Sequence, residues 1–284
     1  MSPETPSPLA SAEWLAERLD SPDIVVLDAS FFLPIQGRNA AAEYLREHIP
    51  GARYFDIDSV ADPGSPLPHM LPSAAQFAEA AGGLGIGNPT EVVVYDGNCF
   101  MASARVWWTF RVFGHERVRV LDGGLARWKA LGLPVLSDPV APAPASFSAV
   151  FHPGLVRGFD EVRAELDEPS VQIVDARSPG RFAGTDPEPR AGLRSGHIPG
   201  SRSLFFKRLI DEPTQCLKPR ADLEREFEAA GIDTHRPVIA TCGTGVTAAV
   251  LALGLYCVGN EYAAVYDGSW TEWGAREDTP IETG

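Results

Sequence analysis

The segments EHIPGAR at 47–53 and GHIPGSR at 196–202 are near copies of each other. Three further pairs of segments match, and all four pairs have the same order in both halves and a nearly constant difference in residue number. They are VVLDAS at 25–30 with IVDARS at 173–178, VVVYD at 92–96 with VIATC at 238–242, and VLDGGLARW at 120–128 with VYDGSWTEW at 265–273. Matching blocks that keep one order and one offset indicate an internal duplication. The chain therefore consists of two copies of one structural unit.

The stretch DPVAPAPASFSAVFHP at 138–153 separates the two copies and is rich in proline and alanine. This composition is typical of an extended linker that runs over a protein surface. We therefore predict an N-terminal domain at 1–138, a linker at 139–152 and a C-terminal domain at 153–284.

Each copy alternates short apolar runs with longer segments of helical spacing. IVVLDA at 24–29 and VRVLDG at 118–123 are β-branched and apolar, as expected of strands buried on both faces of a parallel sheet. Segments such as TAAVLALGLYCVG at 247–259 have helical spacing and end at glycine. The sequence predicts an α/β fold in each copy, a parallel sheet flanked by helices, with ligand sites at the carboxyl ends of the strands.

The composition narrows the class of protein. The 284-residue chain is 44% hydrophobic and 22% charged, which is typical of a globular protein. Its net charge of −14 argues against nucleic acid or an anionic membrane as a partner. The N-terminus lacks the features of a secretory signal, and the apolar stretch at 248–259 is too short to span a bilayer. No CxxC pair occurs, so we predict reduced thiols and a cytoplasmic location; the cysteines are Cys99, Cys216, Cys242 and Cys257.

The two copies differ at the position after the central strand, which is Asp96 in the first and Cys242 in the second. Cys242 is followed by GTGVT at 243–247 and then by a predicted helix. A strand, a glycine-rich turn and a helix N-terminus together form an anion-binding cradle. A cysteine in that place is expected to be a reactive thiolate, although an isolated cysteine is more often a buried structural residue. Asp96 would repel an anion, so the first copy is predicted to be catalytically silent.

The HIPG and DG blocks, together with CGTGVTA at 242–248, resemble the tandem-domain rhodanese sulfurtransferases over essentially the whole chain. The loop is similar to that of the 3-mercaptopyruvate sulfurtransferase branch, whereas the thiosulfate branch carries Arg and Lys where this chain has Gly243 and Thr244. The resemblance implies two rhodanese-like domains that use no cofactor. It also implies that sulfur passes from 3-mercaptopyruvate through a Cys242 persulfide to cyanide, a small thiol or thioredoxin, and that pyruvate is released. Thiosulfate:cyanide sulfurtransferase is the alternative.

The resemblance also implies which residues bind the small anionic sulfur donor. Arg181 and Arg190 match the arginine pair that holds the substrate carboxylate, and guanidinium suits bidentate carboxylate binding. They lie within 177–208, a stretch that contains seven Lys and Arg but two acidic residues, although the chain as a whole is acidic. We expect the other five basic residues there to be solvated. The resemblance places the donor on the loop of the reactive cysteine, at Gly243, Gly245, Val246 and Thr247.

A proton relay is the last feature that the resemblance implies. Asp58 and His69 match its carboxylate and imidazole, and they would act with the hydroxyl of Thr244, where the best-known members have Ser. The methyl group of Thr244 restricts its χ1 angle. An alternative for His69 is a loop histidine that caps nearby backbone. Because Asp58 and His69 lie in the first copy, we expect the active site to combine residues from both halves of the chain.

Other motifs favour no function. GGLGIG at 82–87 precedes its strand and fails the dinucleotide pattern, so it is interpreted as a helix stop. DIDSVAD at 56–62 lacks the EF-hand glycine and the histidines are scattered, so we predict no metal. His48 and His197 recur in both copies and are interpreted as scaffold. A phosphatase is excluded because Ala248 stands where its loop needs arginine, and a non-catalytic binding module is disfavoured by the Cys242 loop.

Overall fold

The repeated apolar runs form the central strands of two separate sheets in the computed structural model, which describes residues 7–167 and 170–284. The chain divides into two compact units. The first unit contains the described residues up to Ile57 together with Ala74–Val150 and Glu212–Cys216, and the second contains Asp58–Ser73, Phe151–Asp211 and Leu217–Gly284.

The first unit is built around a five-stranded sheet whose strand pairs are all parallel. Its strands are β1 (Leu9–Ala10), β2 (Ile24–Asp28), β3 (Arg53–Tyr54), β4 (Glu91–Tyr95) and β5 (Val118–Leu121). They lie in the order β1-β5-β4-β2-β3. The helices are α1 (Ala12–Ala16), α2 (Ala40–Arg46), α3 (Ala74–Gly83), α4 (Ser103–Val112) and α5 (Gly124–Ala130), with a 3-10 turn at Pro34–Gln36.

The second unit repeats this arrangement. Its strands are β6 (Val156–Arg157), β7 (Gln172–Asp175), β8 (Arg202–Ser203), β9 (Val238–Thr241) and β10 (Ala264–Tyr266), in the order β6-β10-β9-β7-β8. The helices are α6 (Phe159–Ala164), α7 (Pro179–Ala183), α8 (Arg220–Ala229), α9 (Ala248–Cys257) and α10 (Ser269–Trp273), with 3-10 turns at Pro153–Leu155 and Phe206–Leu209. The predicted α/β fold, with one parallel sheet per copy, is confirmed.

The central strands β4 and β9 are buried because helices cover both faces of a parallel sheet. In register, Asp28 pairs with Tyr95 in the first unit and Asp175 pairs with Thr241 in the second. The loops that follow β4 and β9 therefore begin at equivalent points of the two sheets. Helix α9 is buried along most of its length, and none of the helices in residues 7–167 and 170–284 is long and apolar enough to cross a membrane.

The glycines of GGLGIG have a role that the sequence interpretation missed. The backbone N–H of Ala145, in the predicted linker, donates to the Gly82 carbonyl at 2.9 Å. A Cβ atom at Gly82 would lie 2.6 Å from the Ala145 carbonyl oxygen, and one at Gly85 would lie 2.7 Å from that of Ala143. Phe147 is buried against Phe77. The linker is therefore packed on the first unit, and glycine is needed where the two backbones meet.

The histidines of the HIPG segments make matching contacts in both units. His48 Nδ1 lies 2.7 Å from the Tyr44 carbonyl oxygen, and the two rings stack. His197 Nδ1 lies 2.8 Å from the Phe182 carbonyl oxygen, and these rings also stack. Because the contact recurs in the copy that has Asp96 at the position of Cys242, we interpret these imidazoles as part of the scaffold.

Candidate active site

Cys242 begins the loop that joins β9 to α9, at the carboxyl end of a buried central strand. The cysteine is 2% exposed, and Gly245 in the same loop has φ +74°, a conformation that glycine adopts without strain. Gly245 thus lets the chain turn directly into α9. The turn places Cys242 beside the N-terminus of this ten-residue helix.

The loop after Cys242 offers backbone donors to a ligand. Within the described part of the chain, the N–H groups of Gly243, Thr244, Val246 and Thr247 donate to no protein acceptor. They precede α9, whose macrodipole places partial positive charge at the same end. Orphan N–H groups at a helix N-terminus favour an anion. The loop has the donors of an anion-binding cradle.

The equivalent loop of the first unit satisfies its donors internally. The Asp96 carboxylate accepts hydrogen bonds from the backbone N–H groups of Asn98 at 2.9 Å, Ala102 at 3.1 Å and Ser103 at 2.8 Å. Asp96 is buried, so its carboxylate acts as the anion of its own cradle. Cys242 has no oxygen with which to do this, and the N–H groups of Gly243, Thr244, Val246 and Thr247 are left for a ligand.

Arg181 lies directly over the cysteine loop. A Cβ atom built on Gly243 would stand 3.0 Å from Arg181 Nη2, so the absence of a side chain at Gly243 makes room for the guanidinium. Arg181 is a residue of α7, and its Nη2 and Nε donate to the Glu188 carboxylate at 2.6 and 3.2 Å. This two-point ion pair fixes the plane of the guanidinium.

Glu188 belongs to a buried ionic network. Its side chain is 2% exposed, and it also accepts from Arg177 Nη1 at 2.8 Å. Arg177 is fully buried, pairs with Asp175 at 2.6 Å and lies over the Trp270 ring. The expectation that Arg177 is a solvated loop arginine is therefore wrong. A charge can be buried here because Arg177 has two carboxylates to neutralise it.

Arg194 is a second correction to the expected set of solvated residues. Its guanidinium donates to the backbone carbonyls of Gly274 and Thr279 at 3.2 and 3.0 Å. These bonds join the loop before the second HIPG segment to the C-terminal segment of the chain. Arg194 is a structural residue, because its guanidinium N–H groups already donate to backbone carbonyl oxygens.

Arg190 is exposed, and the charges of Asp58, Arg181 and Cys242 act on its guanidinium. The pKa of its guanidinium is lowered from its ordinary value mainly by loss of solvation, while Asp58 and the Cys242 thiolate raise it and Arg181 lowers it. Arginine remains a cation at neutral pH. Arg190 and Arg181 therefore supply two positive charges near Cys242.

Asp58 and His69 lie in a segment that packs within the second unit, although the segment precedes the first-unit strand β4 in sequence. His69 is buried, has φ +62°, and its Nδ1 lies 2.8 Å from Asp58 Oδ1. Hydrogen bonding from His69 is the main cause that lowers the pKa of Asp58, and Arg190 contributes to the same shift. The Leu71 backbone N–H donates to Asp267 Oδ2 at 2.8 Å and anchors the segment to the second unit.

Thr244 is buried, but its hydroxyl makes no hydrogen bond within the described ranges. The structure therefore contains the Asp58–His69 contact of the expected relay and no bond that continues it to Thr244. Catalytic hydrogen bonds are often incomplete in a protein without its substrate.

Sequence reasoning missed two residues that support this site. In the sequence, Glu188 is only one acidic residue within a basic stretch. No pattern of neighbouring residues indicates that it is buried between Arg177 and Arg181. Ser269, which contacts Cys242, aligns with Gly124 of the first copy. That difference between the copies was a usable signal.

No cluster of three or more His, Cys, Asp or Glu side chains that could hold a metal occurs in the part of the chain that the structure describes. The cysteines found there form no disulfide. Cys242 is buried, and the others are partly buried: Cys99, Cys216 and Cys257. The chemistry that this site offers is that of a thiol, two arginines and a histidine paired with a carboxylate.

The chain is similar to known proteins over nearly its whole length. The profile of the Rhodanese-like domain matches residues 11–131 and 159–276. Thiosulfate/3-mercaptopyruvate sulfurtransferase 1, mitochondrial, of Arabidopsis thaliana is 45% identical, over 99% of this chain and 80% of the relative. Thiosulfate sulfurtransferase of Bos taurus is 46% identical, over 97% of this chain and 94% of the relative.

A solved structure is also similar to this fold. The crystal structure of SseA from Escherichia coli, described among 3-mercaptopyruvate sulfotransferases, superposes with a TM-score of 0.85 at 39% identity. The match covers 93% of this chain and 99% of SseA. The chain therefore belongs to the rhodanese family of sulfurtransferases, and it carries two rhodanese-like domains.

Proposed function

We propose that this sulfurtransferase takes its sulfur from 3-mercaptopyruvate and carries it as a persulfide on Cys242. The observation that carries the proposal is the position of Arg181. Its guanidinium lies against Gly243, the residue that follows the cysteine. A carboxylate held by Arg181 would bring the rest of a small donor to the cysteine sulfur. Arg190, which is coupled to Cys242 by charge, would hold the other side of the carboxylate.

The proposed reaction has two half-reactions at one sulfur. The Cys242 thiolate attacks the sulfur of 3-mercaptopyruvate, the carbon–sulfur bond breaks, and its electron pair leaves on the pyruvate enolate. The enolate takes up a proton and departs as pyruvate. An acceptor thiolate or cyanide then attacks the outer sulfur of the persulfide, the sulfur–sulfur bond breaks, and the Cys242 thiolate is regenerated.

The anion cradle and the relay have separate roles in this proposal. The N–H groups of the loop, which includes Gly243, Gly245, Val246 and Thr247, stabilise the charge on the persulfide. His69, oriented by Asp58, moves the proton that the enolate needs, and the Thr244 hydroxyl passes it on once substrate completes the hydrogen bonds. Support comes from the 2.8 Å contact between His69 and Asp58.

Thiosulfate is the second candidate donor, because relatives of nearly equal identity are named for either donor. The charge of the site favours 3-mercaptopyruvate. Arg181 is paired with Glu188, and the charge of Asp58 acts on Arg190, so part of the positive charge near Cys242 is offset. A donor with a single carboxylate suits such a site better than a compact dianion does, and the loop itself adds no cation.

The wider assignments remain part of the proposal. Sulfurtransferase activity requires a sulfur donor and an acceptor, and we propose a small thiol, thioredoxin or cyanide as the acceptor. The N-terminal domain at 1–138 is proposed to be catalytically silent, joined through a linker at 139–152 to a catalytic domain at 153–284. A cytoplasmic location is supported by the free cysteines, whereas one relative is named as mitochondrial.

Steady-state kinetics with each donor test the proposal. Pyruvate release from 3-mercaptopyruvate and sulfite release from thiosulfate are measured with cyanide as the common acceptor. We expect kcat/KM for 3-mercaptopyruvate to exceed that for thiosulfate by roughly 30-fold or more, the difference typical of one charge or hydrogen-bond contact in the transition state. A higher kcat/KM for thiosulfate would assign the chain to the alternative donor.

A further inference from the structure

The backbone of Cys242 is held by the segment that follows β10. Trp270 N–H donates to the Cys242 carbonyl at 3.0 Å, and Thr271 N–H and its hydroxyl donate to the Gly243 carbonyl at 2.9 and 3.0 Å. Ser269 Oγ accepts from the Cys242 N–H at 3.2 Å. Residues 269–271 therefore fix both peptide groups on either side of the cysteine.

Ser269 adopts a backbone conformation that serine rarely takes. Its φ is +49°, in the left-handed region where a Cβ atom causes strain, and the residue is fully buried. The equivalent residue of the first unit is Gly124, with φ +52°. Glycine meets this conformation without strain, so the second unit keeps a strained serine where its own duplicate uses glycine.

The hydroxyl of Ser269 accounts for the difference. Ser269 Oγ donates to the Tyr266 carbonyl at 2.7 Å and is thereby oriented to accept from the Cys242 N–H. In the first unit, the residue equivalent to Cys242 is Asp96. Its carboxylate accepts hydrogen bonds from backbone N–H groups of the loop that follows it. The loop of Cys242 has no carboxylate of this kind, and Ser269 accepts the N–H of the cysteine itself. In the first unit, the Ser30 hydroxyl accepts instead from Gly97, the residue after Asp96, at 3.0 Å.

We infer that Ser269 is a positioning residue for sulfur transfer, which sets the orientation of Cys242 so that its thiolate faces the N–H groups of the loop. The inference rests on the proposed function for the identity of the donor. By accepting the Cys242 N–H from below, Ser269 prevents rotation of that peptide, which would turn the sulfur away from the donors of residues 243–247. Among the described residues, the hydrogen bonds of the Ser269 hydroxyl go to the Tyr266 carbonyl, the Cys242 N–H and the Thr241 hydroxyl, and none goes to the Cys242 sulfur.

Ser201 offers a matched control in the same unit. Its hydroxyl is buried and donates to the Ile198 carbonyl, three residues earlier, at 2.6 Å, as Ser269 does to Tyr266. Ser201→Ala and Ser269→Ala therefore remove the same kind of hydrogen bond. Only Ser269→Ala also removes the acceptor of the Cys242 N–H.

The test compares full-length wild type with Ser269→Ala, Ser269→Gly and Ser201→Ala in single-turnover experiments. Persulfide on Cys242 is measured by mass spectrometry over a range of 3-mercaptopyruvate concentrations. We expect both Ser269 variants to lower the rate constant at saturating donor by roughly 10-fold or more, while the half-saturating concentration stays within about twofold. Ser201→Ala should leave both quantities near the wild-type values.

Stability separates positioning from simple support of the fold. Because glycine relieves the strain at φ +49°, Ser269→Gly should unfold at a temperature no lower than Ser269→Ala, yet lose activity equally. Equal rate constants in Ser269→Ala and Ser201→Ala would overturn the inference. So would a half-saturating concentration that rises in parallel with the loss of rate, because that pattern means general damage to the site.

A second readout does not depend on the donor. The rate at which iodoacetamide alkylates Cys242 at a single pH should fall in both Ser269 variants and stay unchanged in Ser201→Ala. If wild type forms no persulfide from 3-mercaptopyruvate, the proposed function fails, and the alkylation rates alone decide the inference. Unchanged alkylation in the Ser269 variants would overturn it.

Discussion

The loops after β4 and β9 are built on the same strand, turn and helix but satisfy their backbone donors in different ways. In the first unit, the carboxylate of Asp96 accepts three backbone N–H groups and closes the cradle from within. In the second, Cys242 supplies a thiol in place of the carboxylate, and four N–H groups of its loop in the described chain have no protein acceptor. The residue at this equivalent position therefore separates a loop that binds its own N–H groups from one that, as we propose, binds an anionic ligand.

The segments packed against these loops extend the comparison. His69 and Gln215 are at equivalent positions of the two copies, with φ +62° and +61°. His69 comes from the first copy but belongs to the second unit, and Gln215 comes from the second copy but belongs to the first unit. Gln215 Oε1 accepts from the Cys99 thiol at 2.7 Å, whereas His69 contacts Asp58. The duplicate keeps the architecture of the site and replaces its titratable groups.

Replacing the cysteine should have the largest effect. Cys242→Ser retains the fold, because the residue is small and buried, but its oxygen cannot form a persulfide. Sulfur transfer to cyanide should fall by about 10³-fold or more. Circular dichroism serves as the control for folding, and a folded variant with substantial activity would remove Cys242 from the reaction.

The equivalent residue of the first unit should matter for stability. Asp96→Ala leaves three N–H groups without an acceptor, two of them buried, and should lower the free energy of unfolding by about 2–3 kcal/mol. Activity per folded molecule should stay within about twofold of wild type. Urea unfolding and donor kinetics measure the two effects, with Cys242→Ala as the matched control, which should cost about 1 kcal/mol. An Asp96→Ala protein with wild-type stability would contradict the structural role.

The arginine over Gly243 should act mainly on substrate binding. Arg181→Lys keeps the charge but loses bidentate geometry, so KM for 3-mercaptopyruvate should rise about 10-fold. Arg208→Lys is the control, because Arg208 pairs with Glu226 on an exposed surface of the same unit. If both substitutions change KM equally, Arg181 has no special role in binding the donor.

The smallest effect concerns acid stability. The pKa of Asp58 is lowered in the folded protein, so its contribution to stability is present above the ordinary value of about 4 and is lost as pH falls through the lower folded value. The Asp58 side chain is 60% exposed, which limits the contribution to roughly 0.5 kcal/mol. The free energies of unfolding of wild type and Asp58→Asn should therefore differ at pH 5, and the difference should shrink as the pH is lowered further below 4. A difference that grows as the pH falls would contradict this assignment.

The sequence was sufficient for features that repeat or that are local. The duplication, both parallel sheets and the turn after Cys242 could be predicted because each depends on a short pattern of apolar residues or glycines. The roles of Arg181 and Arg190 come from the resemblance to a known motif, and they stay predictions. These features do not require knowledge of which side chains meet across the fold.

Features that depend on long-range contacts could not be predicted. The burial of Arg177 requires Glu188 to fold back over α7, and the packing of the linker requires Gly82 and Ala145 to meet. No local pattern marks either contact. The hydroxyl of Thr244 was expected to join the relay, yet its geometry depends on a substrate that the sequence does not describe.

The most direct test of the difference between the two loops is the site of the sulfur itself. Wild-type protein is treated with 3-mercaptopyruvate in the absence of an acceptor, digested without reductant and examined by mass spectrometry. The account predicts the mass of one added sulfur on the peptide that contains Cys242, and none on the peptide that contains Cys99, which lies in the Asp96 loop. Added sulfur on Cys99, with Cys242 unmodified, would contradict it.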